Sequence, residues 1–192
     1  MTSVHHEDGK TLAELLLSLT LTGVVMAAAY DLMIIQNRLF SAQDQSVDAE
    51  QTARMAMTMI TRELHMAGYS PVMGVSLTGI TYDPARLRIR ADLNGNGTTA
   101  DANEDITYSY DAPKLQLIRS GNGAQTVFKN IQAFSVSYLD ANGIPTTISA
   151  DIRAVSVKIT GRTERPDPTY TANNGYRTFT LQARVMPRNL GL

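Results

Sequence analysis

A run of apolar residues near the N-terminus restricts what this chain can fold into more than any other feature. Residues 12–30 contain a single charged side chain, the carboxylate of Glu14. As a helix, this run of about 19 residues is roughly 28 Å long, which is enough to cross the hydrocarbon core of a bilayer. A carboxylate at membrane depth costs several kcal/mol and marks a functional position by default. The sequence therefore predicts a membrane-inserted helix in which Glu14 has a role.

The helical pattern continues beyond the apolar run. From Ile35 to Leu64, apolar or small residues recur mostly three or four positions apart, and polar or charged residues fill the other face. Gly68, which a Ser-Pro pair follows shortly afterwards, is a stop signal. We therefore expect one helix of about 55 residues, near 80 Å long, with a membrane and stalk half followed by a packed half. The methionines expected to fill gaps between this helix and a sheet are Met55, Met57, Met59 and Met66.

From Gly79 onward the apolar period changes to two. Leu87 and Ile89 alternate with arginines, Ile106 and Tyr108 alternate with small polar residues, and Gly, Asn and Pro clusters separate such segments. This alternation predicts antiparallel strands with one face on a core. The expected fold class is α+β, a long N-terminal spine helix packed on an antiparallel β-sheet. The expected parts are the long helix, at residues 10–68, and a β-sheet globular domain, at residues 69–192.

The N-terminal motif, residues 9–16, reads Gly-Lys-Thr-Leu-Ala-Glu-Leu-Leu. It resembles the signature of type IV prepilins and type II secretion pseudopilins, Gly-Phe-Thr-Leu-x-Glu-Leu-Leu, with Lys10 in place of Phe. The resemblance implies a pilin-like fold and a prepilin leader at residues 1–9. It implies that a prepilin peptidase cuts between Gly9 and Lys10 and that the new N-terminus is methylated. It also implies that Glu14 meets the N-terminal ammonium of a neighbouring subunit, since opposite charges in a low-dielectric bundle cost less together than apart. The alternative is a signal anchor with Glu14 near the interface.

Four further segments resemble PilW-type minor pilins, at residues 62–69, 134–140, 151–155 and 187–192. The resemblance implies a bacterial minor pilin that is inserted in the inner membrane with its C-terminal domain in the periplasm, and that later reaches the pilus and cell surface. The implied role is to help initiate or cap a type IV pilus. The implied partners are other minor and major pilins, the prepilin peptidase, the inner membrane and the pilus assembly machinery. A minor pseudopilin of a type II secretion system shares every motif and is the close alternative.

An acidic segment at residues 92–105 is the second chemical motif. Oxygen-bearing side chains stand at every second position and a Gly stands at the sixth, as in the first half of an EF-hand calcium loop. Position twelve is Asn103 rather than Glu, so a neighbouring acid would have to close the site. With strands on both sides, calcium would act as a staple in a hairpin loop, and the alternative is a plain Asn-Gly turn with hydrated acids. The candidate ligands are Asp92, Asn94, Asn96, Thr98, Asp101, Asn103, Glu104 and Asp105.

Composition restricts the function further. The net charge is −1, and removal of residues 1–9 takes away Glu7 and Asp8 and changes it to +1; such a chain is not expected to bind nucleic acid. The absence of cysteine excludes disulfides, thiol nucleophiles and cysteine metal sites. After cleavage His65 is the only histidine and no nucleophile-elbow motif is present, so we expect a structural protein. Alternatives of other classes are a membrane-anchored periplasmic enzyme and a calcium-dependent adhesin.

Overall fold

The structure is a computed structural model that describes residues 12–121 and 125–190. The chain forms two compact units, Met1–Gln43 and Asp44–Leu192. One helix, α1 (Leu12–Met66), contributes residues to both. It ends two residues before Gly68, which adopts the left-handed conformation (φ 77°) that glycine accepts more readily than other residues.

Within the first unit, α1 exposes its apolar side chains. All of residues 12–30 are exposed, including large side chains such as Leu16 and Val24. Its hydroxyls bond back to the helix: Ser18 donates to the carbonyl of Leu15 at 2.9 Å, and Thr20 and Thr22 make equivalent bonds, so these polar groups need no water. By length and composition α1 can cross a membrane, and none of its most apolar window is buried. The segment is therefore compatible with a membrane anchor.

The second unit contains two antiparallel sheets. The first follows the chain order as a meander, and the second has three strands in which the middle one pairs with both others. The strands of the first sheet are β1 (Ile80–Thr81), β2 (Arg86–Arg90), β3 (Asp105–Asp111), β4 (Gln116–Ser120) and β5 (Gln125–Phe128). Those of the second are β6 (Ile131–Leu139), β7 (Ala154–Arg162) and β8 (Thr178–Val185).

The predicted α+β class, a long N-terminal helix packed on antiparallel β-structure, is confirmed. The strands divide into two sheets rather than forming one. The division comes at Asn130, whose backbone is left-handed (φ 59°), a conformation that asparagine tolerates better than most residues. There the chain leaves the first sheet, and Ile131 instead donates a backbone hydrogen bond to Leu115 at 3.0 Å.

The second half of α1 packs on the strands through small and branched residues. Ala53, Ala56, Ile60 and Leu64 are fully buried at a spacing of three or four, so they form one stripe of the helix. Gly161 in β7 shows how closely the helix approaches, because a Cβ added there would lie 2.8 Å from the carbonyl oxygen of Ala49. Small residues on both elements thus permit backbone-to-backbone packing.

The four methionines of α1 do not all fill gaps in the core, and the expectation that they do is wrong in part. Met57 is buried in the core and Met59 packs partly buried against it, but Met55 and Met66 are exposed. Met55 and Met59 line a surface groove between α1 and β5. The periodicity places all four residues on a helix, but only the position of the sheets decides which helix face is covered.

Candidate functional site

The N-terminal motif is described only from Leu12 onward, so Gly9 and Lys10 lie outside the described residues. Glu14 is exposed in the first turn of α1. A carboxylate in this position interacts favourably with the positive end of the helix dipole. Its neighbours Leu15 and Leu16 are exposed as well. Glu14 is thus an anionic group on an otherwise apolar surface and is chemically suited to meet a cation such as an ammonium group.

Asp92 organises the first half of the acidic loop between β2 and β3. It is fully buried. Its carboxylate accepts hydrogen bonds from the backbone N–H groups of Gly95 (2.7 Å), Asn96 (3.2 Å) and Gly97 (2.9 Å), and from the hydroxyl of Ser70 (3.0 Å). Burial alone would raise the pKa of Asp92, but these donors, Gly97 foremost, hold that pKa below its ordinary value. The carboxylate therefore stays ionised and shapes the turn.

Asn94, Asn96 and Asp101 are brought together by the loop. The side-chain amides of Asn94 and Asn96 both donate to Oδ2 of Asp101, at 3.0 and 2.6 Å. Their own oxygens accept bonds from the chain two residues on, Asn94 Oδ1 from the N–H of Asn96 at 3.0 Å and Asn96 Oδ1 from that of Thr98 at 2.9 Å. The hydroxyl of Thr98 also donates to Asn96 Oδ1 at 2.9 Å. Three oxygen-bearing side chains thus converge on one side of the loop.

Glu104 closes the loop from its other end. It is 2% exposed. Its Oε1 accepts hydrogen bonds from the backbone N–H groups of Leu93 (2.8 Å) and Asn94 (3.2 Å). Its Oε2 is buried and has no hydrogen-bond partner. Glu104 is thus directed at the start of the loop with half of its carboxylate in use.

The two remaining acidic-loop candidates have partners elsewhere. Asn103 Oδ1 accepts a bond from Nη2 of Arg119 at 3.0 Å. Asp105, on β3, forms an ion pair with Arg88, in which Nε donates to Oδ1 at 2.8 Å and Nη2 to Oδ2. The bond from Arg88 holds the pKa of Asp105 below its usual range. Within residues 12–121 and 125–190, no three His, Cys, Asp or Glu side chains are grouped as ligands of one metal ion.

A buried polar cluster between α1 and the first sheet is absent from the sequence predictions. Glu63 Oε1 accepts a bond from Nε of Arg119 at 2.8 Å, and its Oε2 accepts one from the hydroxyl of Tyr108 at 2.5 Å. Burial, with Glu63 adding to it, raises the pKa of Tyr108. The signal lies in the periodicity: Glu63 stands next to Leu64 on the core-facing stripe, and Arg119 shares the buried face of β4 with Leu117. Opposite charges at core-facing positions indicate a buried pair.

No protein-family model matches this chain, and no curated protein matches it. Among solved structures, the type IV-like pilin TTHA1219 from Thermus thermophilus is similar to it. The two chains are 13% identical, and the alignment covers 74% of this chain and 98% of that one with a TM-score of 0.47. A likeness at this level assigns no function to this chain.

Proposed function

We propose that this chain is a structural subunit of a type IV pilus, a minor pilin that is inserted in the inner membrane and helps initiate or cap the filament. The observation that carries the proposal is the first part of α1, where an exposed apolar surface contains one carboxylate, Glu14, in the first turn. The resemblance of residues 9–16 to the prepilin motif supports the same reading.

The exposed surface of α1 requires a cover. Water is a poor solvent for a contiguous apolar helix face, and large exposed apolar patches mark membrane or protein contacts. A bilayer covers the helix before assembly. Packed helices of neighbouring subunits cover the same surface in a filament, so one helix serves first as an anchor and then as filament core.

Glu14 sets the register between the helices of neighbouring subunits. Cleavage after Gly9 creates an ammonium group at Lys10, close in sequence to Glu14. In a packed helix bundle, either charge alone is strongly unfavourable, whereas the pair is tolerated. A subunit whose Glu14 faces the N-terminus of its neighbour is therefore held in register, and other registers leave a charge without a partner.

The test is co-assembly in a pilus-forming bacterium that expresses the full-length chain. Glu14→Ala and Glu14→Gln both remove the charge, and Gln keeps the size. We expect both variants to remain in the membrane fraction but to co-purify with pilins at least about tenfold less than the wild type, in line with the loss of a buried charge pair. Asp48→Ala, an acidic-to-alanine change at an exposed position of the same helix, should co-purify normally.

Unchanged co-purification of both Glu14 variants would overturn the proposal that this carboxylate holds the register. The identity of the wild-type partners decides between the two filament systems. Type IV pilins among them support the minor pilin, whereas pseudopilins of a type II secretion system support the close alternative. Recovery without any filament subunit would refute both.

A further inference from the structure

Asp92 and Glu104 are buried carboxylates at the two ends of one loop. Both bind backbone N–H groups of the first half of the loop: Asp92 those of Gly95, Asn96 and Gly97, and Glu104 that of Leu93. Among the residues that the structure describes, neither carboxylate forms an ion pair with a lysine or arginine. Two buried like charges without a counter-charge are unfavourable. A cation at this loop would relieve that repulsion.

The free oxygen of Glu104 indicates where such a cation would bind. A carboxylate offers about four acceptor positions on two oxygens. Oε1 of Glu104 uses two of them, and the buried Oε2 uses none. Buried acceptors without a partner are rare in native proteins, and water or an ion commonly satisfies them. Oε1 accepts the backbone N–H of Asn94, so the carboxylate of Glu104 lies at the start of the loop.

Asn94, Asn96 and Asp101 complete an oxygen-rich set. The two asparagine amides converge on one oxygen of Asp101. Each amide carries an oxygen opposite its nitrogen, and a half-turn about the last side-chain bond directs that oxygen toward Asp101. The turn exchanges the bonds that the two oxygens accept from the N–H groups of Asn96 and Thr98 for the bond to the cation. Asp92 differs from them, because Ser70 and three backbone amides already occupy its acceptor positions.

We propose that the loop between β2 and β3 binds one calcium ion through Asn94, Asn96, Asp101 and Glu104, with Asp92 shaping the loop rather than binding the ion. Two carboxylates balance the charge of a divalent cation. Calcium accepts a flexible set of six to eight oxygens, whereas magnesium requires a tight octahedron, so a long loop favours calcium. Asn103 and Asp105 have no part in the site, since each is engaged by an arginine.

Calcium would tie the loop to the end of α1. The backbone N–H of Asp92 donates to the carbonyl of Tyr69 at 2.8 Å, and that of Gly68 donates to Arg90 at 2.9 Å. The loop is thus attached where the helix meets the first sheet. An ion that orders the loop therefore stabilises this junction in a chain without disulfides.

The experiment is thermal unfolding of the full-length protein in detergent, with millimolar calcium or with chelator, followed by circular dichroism. A ligand that binds only the folded state raises Tm, by roughly 5–10 °C at calcium 100 times the Kd for a chain of this size. Magnesium at the same concentration should give a smaller rise. A Tm that is indifferent to calcium would overturn the proposal.

Matched variants separate the site from the fold. Glu104→Gln removes a buried charge at constant shape, so without calcium it should be at least as stable as the wild type and yet lose the calcium response. Asp101→Asn should lose the response too. Asp83→Asn should keep it, since Asp83 also accepts two backbone amides, at 2.8 and 3.1 Å, but lies in the turn before β2. A full response in Glu104→Gln would refute the site, independently of the co-assembly result at Glu14.

Discussion

Removing Arg119 should destabilise the protein far more than removing any surface arginine, because it leaves Glu63 buried without a counter-charge. The side chains of Arg119 and Glu63 are 8% and 9% exposed, so both are nearly fully desolvated. In Arg119→Met, which keeps the length of the aliphatic stem, the only remaining described side-chain donor to Glu63 is the hydroxyl of Tyr108.

The expected loss of unfolding free energy is about 3–5 kcal/mol, the usual cost of removing one partner of a buried pair. For a chain of this size that corresponds to a fall in Tm of roughly 6–20 °C. Replacing both partners should cost less stability, because apolar residues of similar volume can often take the place of a buried ion pair. Glu63→Leu with Arg119→Met should therefore recover part of the loss. The buried hydroxyl of Tyr108 still loses its described partner, at about 1–3 kcal/mol, whereas Asn103 is exposed and can bind water.

The assay is chemical denaturation of wild type, both single variants and the double variant, analysed as a double-mutant cycle. Arg88→Met, in β2 of the same sheet, is the matched control. Its ion pair with Asp105 is 48% and 20% exposed, so its loss should cost no more than about 1 kcal/mol. If Arg119→Met and Arg88→Met cost the same, or if the double variant is as unstable as the sum of the singles, the argument from buried charge is refuted.

Two further predictions concern processing and packing. Mass spectrometry of the protein from native membranes should find a mature N-terminus at Lys10 carrying an N-methyl group, and an intact Met1 in assembled filaments would contradict cleavage after Gly9. Gly161→Val should lower stability by about 1–3 kcal/mol through overpacking, because a Cβ there would be 2.8 Å from the carbonyl oxygen of Ala49. At Gly23 an added Cβ meets nothing within 4 Å, so Gly23→Ala should be neutral or raise helix stability by up to about 1 kcal/mol. Denaturation measures both variants, and equal losses of stability at the two positions would rule out the close approach at Gly161 as the cause.

The elements of this protein could be predicted from the sequence because their signals are local. The long apolar and then amphipathic pattern predicts a helix that stops near Gly68, and α1 ends at Met66. Alternation predicts that Leu87 and Ile89 face a core, and both are buried in β2. These signals depend on the spacing of neighbouring residues, which the chain carries before it folds.

The acidic loop shows a feature that the local sequence does not determine. By sequence, Asp101, Glu104 and Asp105 are equivalent candidates to close the loop. In the structure Asp105 stands opposite Arg90 in the register and forms an ion pair diagonally with Arg88, whereas Glu104 accepts the backbone N–H groups of Leu93 and Asn94. The pairing register of β2 and β3 makes this choice, and register is a property of two strands together.

The sequence by itself determined a membrane-compatible helix, an α+β class and a loop rich in oxygen-bearing side chains, since composition and period specify these without reference to distant residues. Only the tertiary structure decided that the strands form two sheets, which methionines of α1 are exposed, and that Glu63 pairs with Arg119. The two residues of that pair are 56 positions apart. A charge is tolerated in a core only beside its partner, and the folded chain alone brings partners at that separation into contact.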